Sequence, residues 1–157
     1  MKPIKLPQMT EIEIENILKR KNICRIAFID DDFPYIAPFQ YVYANKTLYF
    51  HFTDYGKKKK IFDRNNKVCV SIEDLEPDLS TFYFITIQAE LIEVLNEEER
   101  KKIINTMVSE GKSKFSTNFL SAHGFEKNEE WEILKKSKKI RIFKLINFKK
   151  RLGLKSP

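Results

Sequence analysis

The stretch from Pro34 to Phe52, PYIAPFQYVYANKTLYFHF, decides the fold. Its first half alternates. Tyr35, Phe39, Tyr41 and Tyr43 share one parity, with Ala37 among them, and Ile36, Pro38, Gln40 and Val42 share the other. Over that length a period of two is a β-strand, because successive side chains on extended backbone point to opposite faces. Asn45-Lys46 interrupts the pattern and Thr47 to Phe52 resumes it. Two alternating runs joined by two polar residues, one of them Asn, make a β-hairpin. Pro38 sits inside the first run. Proline has no amide hydrogen for a ladder, so the strand meets an edge or a bulge there. The aromatic parity suits a barrel interior, a subunit interface or one wall of a cofactor slot.

Outward from the hairpin, Ile23 to Asp30 is a preceding strand that ends in the acidic turn Asp30-Asp31-Asp32. Before it, Thr10-Glu11-Ile12-Glu13 is a capping box, followed by Ile14, Ile17 and Leu18 on one face of a helix to about Lys21. After the hairpin, Gly56 breaks the pattern and Lys57 to Arg64 reads as a short helix. Val68 to Glu73 is a fourth strand. Phe82 to Val94 is a run long enough to bend around a barrel. Asn96 caps a helix to about Glu110, and residues 111–128 read as loop with a helical turn. Lys139 to Asn147 is the last strand, and the basic tail Lys149 to Pro157 is expected to fray. Short antiparallel strands with hairpin connections predict a mainly β (α+β) chain: a small closed barrel with helices packed outside.

The bulk numbers agree with that architecture. A chain of 157 residues fits one domain, here with a core from about residue 10 to residue 148. No apolar run approaches the roughly 20 residues needed to span a bilayer. Met1 to Gln8 does not read as a secretion signal, so the expected location is cytoplasmic. Cys24 and Cys69 stand apart inside apolar segments and read as reduced, buried thiols. With His51 and His123 as the two histidines, no metal-ligand spacing is present. The net charge is +7, and 23 of the 29 basic residues are lysine. That balance describes a lysine-rich surface better than a base-reading one, which favours arginine.

One segment breaks a local rule. Thr53-Asp54-Tyr55-Gly56-Lys57-Lys58 follows a strand that ends in His51-Phe52 and opens a helix with four lysines. Cations at a helix N-terminus oppose the macrodipole. A bound phosphate relieves the conflict, because free amides, a hydroxyl and ammonium groups all meet at such a place. On a short helix the four lysines diverge, so at most two serve one phosphate, and a solvated charge run is the alternative. Beside the pocket, Ala37-Pro38-Phe39-Gln40-Tyr41 offers a flat slot with an amide at its edge.

In order and spacing, Asp32-Phe33-Pro34-Tyr35-Ile36-Ala37-Pro38-Phe39, Tyr41-Val42-Tyr43, Leu48-Tyr49-Phe50-His51, Gly56-Lys57-Lys58 and Asn65-Asn66-Lys67-Val68-Cys69-Val70 resemble the pyridoxamine 5′-phosphate oxidase-like superfamily. The nitroimidazole-reductase-like branch is the nearest in pattern. The resemblance covers Thr10 to Val94 and implies a six- to seven-stranded antiparallel split β-barrel with flanking helices. It also implies a homodimer with FMN in grooves between subunits, and flavin-dependent oxidoreduction of a small molecule. Carried over, Lys58 is the phosphate-binding lysine, with Lys57 and Thr53 beside it. His51 and Phe52 lie by the phosphate and ribityl chain, and His51 is also a candidate acid near the ring. Pro38, Phe39 and Gln40 line the ring. The chain departs from the pattern at Phe33, at Asn66, and at Tyr83-Phe84, where a polar flavin contact is usual; Thr81 or Thr86 can substitute. Three functions are weighed: an FMN-dependent reductase, a non-catalytic module for flavin or a related cofactor such as haem, and a nucleic-acid-binding barrel, which the dispersed charge disfavours.

Overall fold

Thr10 opens the first helix, α1 (Glu11–Arg20). Its hydroxyl accepts from the Glu13 amide, and the Glu13 carboxylate accepts from the Thr10 amide at 2.7 Å. Ile14, Ile17 and Leu18 are buried, as their spacing requires. The computed structural model describes residues 5–121, 124–126, 129–137 and 140–157. His123 and Lys139 lie outside these residues.

The chain continues through β1 (Ile23–Asp30), β2 (Phe33–Ala44), β3 (Thr47–Thr53), α2 (Lys57–Arg64), β4 (Lys67–Leu75) and β5 (Phe82–Glu93). It ends with α3 (Glu97–Lys114), α4 (Thr117–Ser121), α5 (Ile133–Lys136) and β6 (Ile140–Lys155). The strands close into an antiparallel barrel in the order β1-β2-β3-β6-β5-β4. The β2–β3 turn has Asn45 at φ 49° and Lys46 at φ 60°, the paired left-handed conformation whose twist matches a hairpin.

The inward parity of each strand fills the barrel. Phe39 and Tyr41 are 7% and 0% exposed inside it, with Tyr35 and Tyr43 packed against the same core. The aromatic parity of β2 is therefore chiefly barrel interior. A second core lies outside, where Val42, Tyr49 and Ile142 meet Ile103, Ile104, Met107 and Val108 of α3. Among the described residues, no helix is long and apolar enough to cross a membrane.

Two segments differ from expectation. The C-terminal tail does not fray. Pairing passes from Glu90↔Ile146 to Gln88↔Lys150, so residues 147–149 of β6 bulge opposite Ala89 alone, with Asn147 at φ 48°. Beyond the bulge, Leu152 and Leu154 pair with Thr86 and Phe84. Gly153 fits under Met9 and Ile14, where an added Cβ would lie 2.8 Å from a side-chain atom of each. Lys155 pairs with Glu13 at 2.5 Å, and this contact, with the Thr10 amide, lowers the Glu13 carboxyl to about 2. The basic residues Lys149, Lys150, Arg151 and Lys155 around the two leucines hide a real strand in the sequence.

Helix α3 also runs past its expected end at Glu110 to Lys114. Gly111 does not break it, because Trp131 occupies the space a side chain would take. A Cβ at Gly111 would lie 2.3 Å from the indole ring. Alanine gains about 1 kcal/mol of helix propensity there, but overpacking a rigid ring costs about 1–3 kcal/mol. Gly111→Ala is therefore expected to lower Tm by a few degrees in a thermal melt. An unchanged or raised Tm would show that Trp131 is free to move.

Candidate functional site

Strands β2 and β3 pair only from Tyr41↔Phe50 to Ala44↔Thr47. On the other side of Tyr41, β2 stays with β1 through Ile23↔Gln40 and Arg25↔Pro38. Past Phe50, β3 follows β6 through His51↔Ile142 and Thr53↔Ile140. The two strands part, and the gap between them is the split in the barrel. The Tyr41 amide donates to the Asn22 carbonyl on the β1 side at 2.8 Å. By the alternation of a strand, positions 40 and 38 address the gap. At position 38 no hydrogen exists to be orphaned, which is why proline is tolerated there.

A cavity of about 660 Å³ fills the split. Pro38, Phe39 and Gln40 of β2 form one wall, and His51, Phe52 and Thr53 of β3 form another. Phe39 and Phe52 stack with ring centroids 5.0 Å apart, giving the cavity an aromatic floor. Lys58 lines it from α2 and Tyr55 from the connecting loop, while Phe119, Ser121 and Gly124 close the far side.

The lysine run separates into different roles. Lys57 turns away from the cavity to Asp30, at 2.9 Å, and its ammonium lies 4.9 Å from the Tyr35 ring centre. Arg64 joins it on the acidic turn, reaching Asp30 at 2.6 Å and Asp31 at 2.8 Å. Lys57 and then Arg64 hold the Asp30 carboxyl below its ordinary range. Lys59 pairs with Asp63 one helical turn on. Lys58 alone of these three enters the cavity, with its ammonium 4.7 Å from the Phe39 ring centre. Among the described residues it has no carboxylate partner, and burial lowers its pKa below the ordinary lysine value.

Gln40 carries the second unmet demand. It is 5% exposed, and its Nε2 has no hydrogen-bond partner among the described residues. A buried donor left unpaired costs about 1–3 kcal/mol. An uncompensated cation and an aromatic floor in one cavity, with an orphan amide buried in its Gln40 wall, fit a phosphate-bearing planar ring with acceptors at its edge. Of the residues singled out in the sequence, Pro38, Phe39, Gln40, His51, Phe52, Thr53 and Lys58 meet here, and Lys57 does not. Phe119 and Ser121 carried no signal, because they belong to a segment without strand or helix periodicity.

The residues that line this cavity all fall within residues 10–133, which match the family described as pyridoxamine 5′-phosphate oxidase. The chain belongs to this family. No curated protein matches it in sequence. Solved structures share the fold at low identity. A FAD-binding protein from Mesorhizobium loti superposes with a TM-score of 0.70 at 14% identity, covering 98% of this chain and 100% of that one. HutZ, the haem storage protein from Vibrio cholerae, gives 0.66 at 15% identity, covering 92% and 94%. A NimC/NimA family protein from Clostridium acetobutylicum gives 0.56 at 16% identity, covering 91% and 82%.

Proposed function

We propose that this member of the pyridoxamine 5′-phosphate oxidase family binds FMN in the split between β2 and β3 and serves as a flavin-dependent oxidoreductase for a small molecule. The observation that carries the reading is that one cavity is lined by both Lys58, which has no carboxylate partner among the described residues, and Gln40, whose Nε2 has no hydrogen-bond partner among them. Bound flavin supplies hydride and electron transfer, and the chain supplies placement and charge. Lys58 and the first amides of α2 hold the phosphate. Pro38 and Phe39 shape the ring slot, and Gln40 donates to the ring edge. His51, Phe52 and Thr53 line the ribityl side.

The reading includes a homodimer that shares the flavin. Its support is the outward face of β1 and β2, where Ile23, Ile29 and Ile36 are 43%, 53% and 59% exposed. Exposed apolar residues gathered on one sheet face mark an association surface.

The decisive measurement is titration of the apo protein with FMN, read by flavin fluorescence, with the solution mass recorded alongside. One FMN per subunit and a dimer mass are expected; failure to bind at saturating FMN overturns the reading. Anaerobic reduction by a nicotinamide donor, then reoxidation by candidate acceptors, tests turnover. Tight binding without accelerated turnover replaces the enzyme with a flavin-binding module. Gln40→Leu gives an effect of opposite sign in two assays. Removing the orphan donor raises the apo Tm, while FMN affinity falls by about tenfold or more for the lost hydrogen bond. A lower apo Tm with unchanged FMN affinity would make Gln40 a structural residue.

A further inference from the structure

Asp54 raises a problem for any anion in this cavity. It lies between Thr53 and Tyr55, both of which line the cavity, in the loop that leads to Lys58. A carboxylate on that rim would repel a phosphate dianion. Asp54 is not among the lining residues, because its side chain is drawn to Arg141.

Arg141 is placed by β6, directly opposite Phe52 in the β3–β6 ladder. Its Nη1 donates to Asp54 Oδ1 at 2.8 Å. Its Nε donates to Glu93 Oε1 at 2.8 Å, and Nη2 donates to the other Glu93 oxygen. The fork on Glu93, at the end of β5, fixes the guanidinium plane and leaves Nη1 aimed at the loop. Among the described residues, little else holds the phase of this loop. Thr53 Oγ1 donates to the Tyr55 carbonyl at 3.3 Å, and Gly56, at φ 92°, provides no side-chain cap for α2.

We propose that Arg141 is a positioning residue that holds the Asp54 carboxylate out of the cavity, so that Thr53, Tyr55 and Lys58 face an anionic phosphate without a competing negative charge. This rests on the reading of the cavity as a flavin-phosphate site. Arg141 is not among the residues that line the cavity; it acts through Asp54. The Asp54 side chain is 61% exposed, so its pairing contributes little to stability. Its effect is expected on the ligand.

The test compares FMN with riboflavin, which lacks the phosphate, on wild type, Arg141→Gln, Asp54→Asn and the double variant, with a thermal melt of each. Arg141→Gln is expected to lose at least about tenfold in FMN affinity, at low salt, from an unmasked charge near the phosphate. Its riboflavin affinity stays at the wild-type value, and adding Asp54→Asn restores most of the FMN affinity. Asp54→Asn alone, which leaves the Arg141–Glu93 fork intact, binds FMN at least as tightly as wild type. Equal losses for FMN and riboflavin, an Arg141→Gln protein with wild-type FMN affinity, or failure of Asp54→Asn to rescue would overturn the inference. So would weakened FMN binding in Asp54→Asn alone, a readout that holds even where Arg141→Gln does not fold. Wild-type protein that ignores FMN overturns the flavin reading and this inference together.

Discussion

Phe143→Ala is expected to lower the unfolding free energy by about 3–5 kcal/mol, the range for deleting a buried phenyl ring. Phe143 is fully buried and stands where three elements meet. It pairs with Phe50 of β3 and with Glu93 of β5. Its ring centre lies 4.6 Å from that of Phe52 and 4.7 Å from that of Phe62. Phe62 belongs to α2, so this cluster seats the helix that carries Lys58 on the barrel. Domains of this kind have only about 5–15 kcal/mol of stability in total, so the variant sits near the limit of folding at 37 °C. Urea denaturation tests it: the midpoint falls and the slope stays constant. Phe143→Leu keeps most of the volume and is expected to cost much less. A loss below about 1.5 kcal/mol for alanine would mean that the cluster collapses into the space, contrary to the rigid packing of a small barrel.

The parts of this architecture legible in the sequence are those whose physics is local. Period-two alternation placed the Pro34–Phe52 hairpin, and Thr10 and Asn96 announced their helices by cap chemistry. The proline at position 38 marked the edge where the barrel splits. What stayed hidden depends on neighbours distant in sequence. Nothing in KKRLGLK shows that β5 and Met9 await it, so a real strand looked like a basic tail. The far wall at Phe119 and Gly124 is placed by the packing of α3, α4 and Trp131, which no short pattern encodes. The lysines of α2 are indistinguishable as letters. Their phase on the helix, and Asp30 waiting on β1, separate a surface ion pair from a cavity cation. Family pattern singled out Lys58 with Lys57 beside it; the geometry puts Lys58 in the cavity and Lys57 on Asp30.

That choice yields the sharpest expected difference in binding. Lys58→Ala should cost about 2–3 kcal/mol of FMN affinity, or roughly 30- to 150-fold in Kd, the loss of a charge-assisted contact to a phosphate. Lys57→Ala should leave Kd close to wild type, because Lys57 is engaged with Asp30 outside the cavity. The apo protein responds differently. Burial already lowers the Lys58 pKa below its ordinary 10.5, so the charged ammonium is disfavoured in the empty barrel. Between the depressed folded pKa and 10.5, the unfolded chain binds more protons, and apo stability rises with pH across that window. Removing Lys58 therefore spares apo stability while weakening the complex. A phosphate dianion reverses the preference and draws the proton back onto Lys58. FMN affinity in the wild type should fall as pH climbs through the depressed pKa of the apo protein, and Lys58→Ala should lack that alkaline limb. A Lys58→Ala protein with wild-type Kd, or with the same alkaline limb, would move the phosphate elsewhere. If Lys57→Ala carried the loss instead, the ion pair with Asp30 would have to open on binding and the helix would present its other face.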